Sequence, residues 1–374
     1  MEQNFEITVL GAAGGPLDGF TSCYMVKPSD IHYETLLESN MTDYIVVVDA
    51  GTGLGKLIEI INDEMNNNRI SMAQRFLNNY ADTFTIDIFN KSSNPSLIVK
   101  KTLGFTNSHK SPITLSFELL NIINTFLITH SHLDHITGLV LNSPAYGAFS
   151  SKKVYALPET INSLKSYIFN DVIWPNLLTP KTGEFLKLIE LKVQKLFNLN
   201  QCYDVIPFEI SHGLKNDDEK YHSTSFLLRD KRKSKYLLVF GDIESDECSM
   251  EAINLKIWTN IAPLIIHGTL KTIVIECSSP NVPPDEPLYG HLTPIELFGE
   301  LTRLSNIVRD LQPSIAEGKP SLEGINILIS HVKDRNSLVD PKKQILEELN
   351  SLNERSGLKL NFVIILPGQS YVVP

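Results

Sequence analysis

Short apolar runs, closed by glycine or polar residues, recur along most of this chain and predict a β-rich architecture. The runs are too short and too β-prone for buried helices, so each predicts a strand. The predicted strands are Phe5–Leu10, Cys23–Lys27, Tyr44–Asp49, Val205–Ile210, Thr224–Leu228, Tyr236–Phe240 and Ile325–Ile329. Pro207 has no N–H to donate to a ladder and therefore favours an edge position for its strand.

Two longer regions depart from this pattern and predict helix. Residues 56–118 are mostly polar and include a helical stretch at Lys56–Met65, which indicates a divergent polar and helical insertion that decorates the sheets. The region Pro158–Leu199 predicts mainly helix. Within it, Phe169–Trp174 could cover a pocket, although aromatic residues at such spacing also pack in cores.

The densest chemistry lies at residues 130–135, which read His-Ser-His-Leu-Asp-His directly after the apolar run Phe126–Ile128. Zinc and similar divalent metals prefer imidazole nitrogen with some carboxylate oxygen. In an extended chain His130 and His132 point the same way, because side chains repeat every second residue. Asp134 and His135 then lie on the following turn, so one motif supplies parts of two metal sites.

Three further candidates stand later in the chain, each directly after an apolar run that predicts a strand. They are His212, Asp242 and His331. Each of these taken alone reads as an ordinary loop residue. Their order along the chain, however, can be compared with that of known metal sites.

Together these residues resemble the metallo-β-lactamase superfamily, in which His-x-His-x-Asp-His precedes an isolated His, a bridging Asp and a final His. The resemblance implies an α+β fold, with residues 1–374 forming a single catalytic domain. This domain is an αββα sandwich with a dinuclear metal site at the sheet edge. Zinc is the expected ion, with manganese or magnesium as alternatives. The implied ligands are His130, His132 and His212 for one ion and Asp134, His135 and His331 for the other, with Asp242 bridging.

A narrower resemblance runs from about residue 5 to the C-terminus and is weakest at about residues 55–118. Four segments are similar to the class II cyclic-nucleotide phosphodiesterases: Thr8–Pro16, Gly138–Pro144, Glu276–Ser278 and Gly290–Pro294. This resemblance implies hydrolysis of cyclic AMP to the 5′-monophosphate, by a hydroxide held between the two metals. Cyclic GMP is a second candidate substrate.

His291 lies in the last of these segments and stands apart from the implied ligands. In relatives that process transfer RNA, a similar Gly-His-Ser-Thr motif carries a histidine at the scissile phosphate that binds no metal. The resemblance therefore favours His291 as proton donor, and it joins Asp134 and Asp242 as a catalytic residue. Glu276 could hold it in orientation, as carboxylates commonly do for histidine.

Three other residues are candidates for supporting roles around the site. Asp49 ends a predicted strand and could support a metal ligand, with a simple cap of the strand end as the alternative. Asn142 lies within a matching segment and is a substrate candidate. Trp174 could stack on a purine, or it could pack in the core.

Three rival functions are weighed against the phosphodiesterase. A transfer-RNA 3′ processing endonuclease has almost the same metal set but needs a basic surface. Only Arg229–Lys235 hints at one, and a solvated hairpin turn is the simpler interpretation of that run. The motif Gly290–Pro294 opposes a thioester or lactam hydrolase. A metal-free binding protein would lack some of the ligands, and none is missing here.

Composition narrows the partners and the compartment. A formal net charge of −10 argues against a dedicated nucleic-acid surface. The four scattered cysteines form no Cys-x-x-Cys pair and predict reduced thiols in a cytoplasmic protein. No apolar run approaches the ~20 residues that span a bilayer. We therefore expect a small cyclic nucleotide as partner, with neither nucleic acid nor membrane. A homodimer is implied by the resemblance alone.

Overall fold

The strands form two sheets in a computed structural model that describes residues 3–82, 86–90, 94–146, 151–179, 185–216, 218–283, 286–312 and 320–374. The first sheet has the order β4-β15-β1-β2-β3-β5-β6-β7, and the second has the order β14-β13-β12-β11-β10-β9-β8. The strands of the first sheet are β1 (Phe5–Gly11), β2 (Cys23–Pro28), β3 (Val46–Val48), β4 (Ile98–Lys100), β5 (Thr125–Leu127), β6 (Lys152–Ala156), β7 (Leu186–Glu190) and β15 (Ser370–Val373). Those of the second are β8 (Phe197–Asn198), β9 (Tyr203–Leu214), β10 (Lys220–Asp230), β11 (Lys235–Phe240), β12 (Leu270–Glu276), β13 (Asn326–Ser330) and β14 (Asn361–Ile364).

Helices cover the outer faces of both sheets. They are α1 (Tyr33–Glu38), α2 (Leu54–Met65), α3 (Met72–Leu77), α4 (Asp87–Asn90), α5 (Pro112–Ile122), α6 (Leu133–Tyr146), α7 (Pro158–Ser163), α8 (Asp246–Ser249), α9 (Ile253–Ile266), α10 (Pro294–Leu311) and α11 (Pro341–Ser356). Among the described residues, no helix is long and apolar enough to cross a membrane.

The alternation of side chains along each strand produces the layered packing. Val46 and Val48 of β3 enter the core between the two sheets, whereas Val47 packs beneath the helices of the first sheet. In β13, Leu328 faces the first sheet, whereas Ile327 and Ile329 face the helices of the second sheet. Each aliphatic side chain buried in this way stabilises the fold by about 1.5–3 kcal/mol. The result is four layers, helix–sheet–sheet–helix.

Parallel strands place the candidate site at one edge of both sheets. In the first sheet β3 and β5 run parallel, and in the second β11, β12, β13 and β14 do. The carboxyl ends of parallel strands meet at the same edge, where open α/β sheets bind their ligands. The candidate residues that follow β3, β5, β11 and β13 are therefore brought together by topology.

Helix α10 fixes the segment that carries His291. Thr293 and Glu296 form a capping box at its start, and Pro294 occupies the first turn, where its missing N–H costs nothing. Leu297, Leu301 and other apolar residues on one face of the helix are buried. The packed helix therefore anchors the turn immediately before it.

The prediction of a mainly helical region at Pro158–Leu199 is wrong. Helix is confined to α7 and a π-helical turn at Leu164–Ile168, and the chain then forms β7 and β8. β7 pairs along its whole length with β6. Pairing with a neighbouring strand outweighs local helix propensity there, as is usual for strands, whose preferences depend on context. Residues 180–184 of this region lie outside the described residues.

Residues 56–118 contribute more to the fold than the predicted decoration. Leu57, Ile60 and Ile61 of α2 are buried in the core beneath the first sheet, together with Leu115 and Leu119 of α5. β4 also extends the sheet by pairing with β15. The predicted helix at Lys56–Met65 is confirmed as part of α2. Residues 83–85 and 91–93 lie outside the described residues.

The edge position predicted from Pro207 holds for most of β9. Its outer side pairs with the two-residue strand β8 only at Asp204 and Val205. Its inner side pairs with β10 from Tyr203 to Leu214.

Candidate metal centre

Seven side chains from different elements converge at the common edge of the sheets. His130 and His132 follow β5, Asp134 and His135 lie in the first turn of α6, and His212 lies within β9 rather than after it. Asp242 and His331 follow β11 and β13. Potential ligand atoms of His130, His132, His212 and Asp242 lie within 4.8 Å of one another, and those of Asp134, His135, Asp242 and His331 do likewise. These two groups coincide with the two sets expected from the sequence, and a third group combines Asp242 with Glu276, His291 and His331.

Asp242 stands between the two sets and presents one oxygen to each. Its Oδ2 lies 3.7 Å from His130 Nε2 and 3.6 Å from His212 Nε2. Its Oδ1 lies 3.2 Å from the Nε2 atoms of both His135 and His331. A carboxylate placed in this way can bridge two cations.

The outer nitrogens of the histidines are held by hydrogen bonds. His135 Nδ1 donates to Asp49 Oδ2 at 2.7 Å, and His212 Nδ1 donates to the carbonyl of Gly290 at 2.8 Å. A carboxylate or a carbonyl only accepts, so these Nδ1 atoms carry the proton and each Nε2 turns a lone pair inward. Such partners fix the tautomer and the ring orientation of metal-binding histidines.

The inner nitrogens fit divalent cations. His130 Nε2 is buried and has no hydrogen-bond partner among the described residues. His135 Nε2 lies 3.2 Å from His331 Nε2, and His212 Nε2 lies 3.3 Å from His132 Nδ1. Lone pairs facing one another at such distances repel unless a proton or a cation lies between them. Imidazole and carboxylate ligands together suit zinc and its neighbours among the transition metals.

Charge and burial set the protonation states of these groups. Burial alone would raise the pKa of Asp242, but the nearby His331 and His135 hold it well below the usual range. Burial lowers the pKa of His130 well below its ordinary value and that of His212 to about 4. The set therefore combines an ionised carboxylate with neutral imidazoles at His130 and His212. Burial would lower the pKa of His135 as well, but Asp242 and Asp49 raise it well above its ordinary value, so an ion bound there would have to displace a proton.

Asp49 holds both the metal motif and the strand that precedes it. Its Oδ1 accepts from the backbone N–H of Thr129 at 2.8 Å, and its Oδ2 accepts from His135. The two roles that the sequence leaves open for Asp49 are thus combined. Asp49 and His331 have φ of 54° and 55°, a left-handed conformation that costs a non-glycine residue about 1–2 kcal/mol. Such strain is typical of functional sites.

The glycine-rich segment Gly11–Gly15 packs directly against the site. Gly14 donates its N–H to the carbonyl of Val332 at 3.1 Å. A Cβ atom at Gly14 would lie 2.6 Å from the ring of His331. Only glycine allows this approach, so this segment contacts the edge that carries the candidate ligands.

His291 lies beside the two ligand sets with one nitrogen already engaged. Its Nδ1 donates to Glu276 Oε1 at 2.9 Å, and its ring stacks on that of His331 at 5.3 Å. Burial lowers the pKa of His291, but the carboxylate of Glu276 more than offsets this and raises it overall. Nε2 is therefore the atom left to meet a substrate, and it can carry a proton there.

Three residues that the sequence analysis missed also shape the site. Ser278 lies 2.5 Å from Glu276 Oε2 and 3.1 Å from His331 Nδ1. Glu244 accepts from Ser211 Oγ and Gly213 N, on either side of His212. Tyr221 stacks on His132 with ring centroids 4.7 Å apart and an interplanar angle of 4°. Ser278 and Glu244 could have been suspected from their places beside Glu276 and Asp242, whereas nothing in the sequence marks Tyr221.

Two predicted substrate residues have structural partners instead. Asn142 Oδ1 accepts from the backbone N–H of Leu54 at the start of α2. Trp174 is half-buried against the core beneath the first sheet, and its Nε1 donates to Ser143 Oγ at 3.0 Å. Packing is thus the role that the contacts give Trp174, and stacking on a purine finds no support in them.

A cavity of about 650 Å³ opens beside the histidines of the first ligand set. Its lining includes His132, His212, Tyr221, Glu244, Tyr289 and Gly290. The volume lies within the range of small-molecule sites, about 300–1,000 Å³. The arrangement can thus bring a small anionic molecule to two adjacent cation sites and a protonated histidine.

Comparison with known proteins agrees with this geometry. The model of the family described as "cAMP phosphodiesterases class-II" matches residues 37–368 of this chain. A 3′,5′-cyclic-nucleotide phosphodiesterase of Candida albicans is 34% identical, and the match covers 99% of this chain and 100% of the relative. The 3′,5′-cyclic-nucleotide phosphodiesterase 1 of Saccharomyces cerevisiae is 33% identical, with 98% of each chain covered.

Solved structures give the same answer for the fold. The crystal structure of unliganded yeast PDE1 matches with a TM-score of 0.84 and 31% identity, over 100% of both chains. The metallo-β-lactamase fold protein YhfI of Bacillus subtilis matches with a TM-score of 0.53 over 99% of both chains, at 13% identity, and so shares the fold alone. The predicted αββα fold is confirmed. The chain belongs to the class II cyclic AMP phosphodiesterase family.

Proposed function

We propose that this protein hydrolyses 3′,5′-cyclic AMP to adenosine 5′-monophosphate. The observation that carries the proposal is the placement of Asp242 between two sets of inward-facing ligands, with His291 beside them. Membership of the class II family supports the same substrate class. Cyclic GMP remains a second candidate substrate.

Each ligand set would hold one divalent ion, with Asp242 shared. When bound, two such ions neutralise the charge of the phosphate and lower the pKa of the attacking water. The imidazole-rich ligand sets favour zinc, with manganese or magnesium as alternatives. The residues supporting the ligands, above all Asp49, keep the imidazoles correctly oriented.

His291 supplies the proton for the leaving group. Water adds to phosphorus, the bond from phosphorus to the 3′ oxygen breaks, and His291 Nε2 gives its proton to that oxygen. Glu276, which is 1% exposed, stabilises the protonated ring through Nδ1. The product retains its phosphate on the 5′ oxygen, and no covalent intermediate with the protein is required.

The basic run Arg229–Lys235 does not favour the alternative of transfer-RNA processing. It forms the turn between β10 and β11, at the end of β11 opposite to Asp242 and so about 20 Å from the site. Three of its five cations are also paired: Arg229 and Lys231 with Asp204, and Arg232 with Asp30 and Asp230. A partly neutralised turn at that distance is poorly suited to bind RNA.

Product analysis tests the proposal. Purified protein incubated with cyclic AMP, cyclic GMP and a transfer-RNA precursor should release 5′-AMP from the first, and the RNA should remain intact. Exclusive release of 3′-AMP would contradict the proposed leaving group, and cleavage of RNA alone would contradict the substrate. Metal analysis of the same sample would identify the ion. Cytoplasmic location, suggested by the scattered cysteines, and a homodimer remain predictions.

A further inference from the structure

The turn that carries His291 also carries an exposed aromatic ring. Tyr289 is 77% exposed and has a left-handed backbone with φ of 53°. That conformation is strained for a bulky residue and would be easier for glycine. Exposure and backbone strain together, beside the proposed catalytic site, indicate a functional role for the ring of Tyr289.

The turn holds Tyr289 in a fixed place relative to the ligand set. The next residue, Gly290, accepts the Nδ1 proton of His212 through its carbonyl at 2.8 Å. A Cβ atom on Gly290 would lie 2.6 Å from Gly213 N, so the two chain segments are in close contact. Tyr289 is thus attached to a rigid support, and it is one of the residues that line the 650 Å³ cavity together with His132 and His212.

From these observations we infer that this cavity binds the nucleobase, with Tyr289 as its stacking surface. The inference rests on the proposed function and deepens it. The leaving 3′ oxygen belongs to the ribose that carries the base, so the base must lie near the residue that protonates this oxygen. His291 and Tyr289 are two residues apart on one turn, which places the proton donor and an aromatic surface on the same side of the substrate.

The opposite flank of the site is less suited to a base. A cavity of about 430 Å³ there is lined by Pro16, Leu17, Tyr80 and Arg335, among others. Tyr80 is 8% exposed, and its hydroxyl is held by Asp334 at 2.9 Å. Among the residues that line these two cavities, Tyr289 is the most exposed aromatic side chain.

The test is the separation of KM from kcat in variants of Tyr289. Stacking of a base on an aromatic side chain, measured by replacement with alanine, corresponds to about 5- to 150-fold in binding. Tyr289→Ala should therefore raise the KM for cyclic AMP by about that factor, while kcat changes by less than about threefold, because uniform binding is lost. Tyr289→Phe, which keeps the ring, should behave like the unmodified protein. Tyr167→Ala is the matched control, since Tyr167 is 67% exposed on the turn after α7.

Inhibition by product fragments shows whether the base is what Tyr289 binds. Tyr289→Ala should weaken inhibition by adenosine 5′-monophosphate by the same factor and leave inhibition by ribose 5-phosphate unchanged. Equal weakening of both would mean that Tyr289 acts through the turn, and an unchanged KM would also overturn the inference. If the unmodified protein hydrolyses no cyclic nucleotide, the proposed function fails first, and the inference with it.

Discussion

Replacing His291 with alanine separates proton donation from metal binding. Glu276 would keep hydrogen bonds from Ile243 N at 2.7 Å and Ser278 Oγ at 2.5 Å, so the buried carboxylate stays partnered and the fold should persist. Loss of one hydrogen bond to a charged group costs about 1.5–3 kcal/mol of stability. Turnover of cyclic AMP should fall about 10²–10⁴-fold, the range for a lost proton donor. This is about 3–5 kcal/mol in the activation barrier.

Two measurements on the His291→Ala protein decide its role. Plasma emission spectrometry should find two ions per chain, and kcat should fall much less with a nitrophenyl phosphodiester, whose leaving group needs no proton. His331→Ala is the matched control and should lose one ion and both activities. Loss of an ion from the His291 variant, with equal damage to both substrates, would make His291 a ligand. That outcome is conceivable because Asp242, Glu276, His291 and His331 also lie close enough together to hold an ion.

Three other substitutions have separate expected results. Asp242→Ala should no longer bind both ions tightly, because each ligand set loses the carboxylate oxygen that faces it. A variant that retains both ions would refute the bridging role of Asp242. Asp49→Asn should weaken binding of one ion by about 10–100-fold in competition with a chelating dye, because His135 loses its carboxylate partner; unchanged affinity would show that this partner is unimportant. Trp174→Phe should lower the free energy of unfolding, measured with urea, by about 1 kcal/mol, because the hydrogen bond to Ser143 is lost. The KM for cyclic AMP should be unchanged in that variant, and a large rise would restore a substrate role.

The candidate metal ligands could be proposed from the sequence because each stands in or beside a short strand, close to its carboxyl end. A residue such as His331, which directly follows β13, is brought to the sheet edge by any parallel arrangement of these strands. The order of residue types then identifies the ligand sets. The sequence predicts that His212 lies just after its strand, whereas β9 continues to Leu214. This difference does not change the direction in which the side chain of His212 points.

The roles that depend on tertiary packing could not be predicted in this way. Asn142 lies in a segment that resembles the family, and Trp174 lies in a stretch that could cover a pocket, but their partners are Leu54 and Ser143. Tyr221 stacks on His132 only because β10 pairs with β9, which no local pattern reveals. The same limit explains why the sequence pattern predicts helix where β7 lies. The partner strand β6 lies some 30 residues earlier in the chain, so the pairing leaves no local signal.

Metal titration of the depleted protein tests the central claim most directly. A chelator should remove the ions and abolish hydrolysis of cyclic AMP. Stepwise addition of zinc or manganese should restore 5′-AMP formation as occupancy approaches two ions per chain, because both ligand sets meet at Asp242. Full activity in metal-free protein, or full activity at one ion per chain, would contradict the two-ion site.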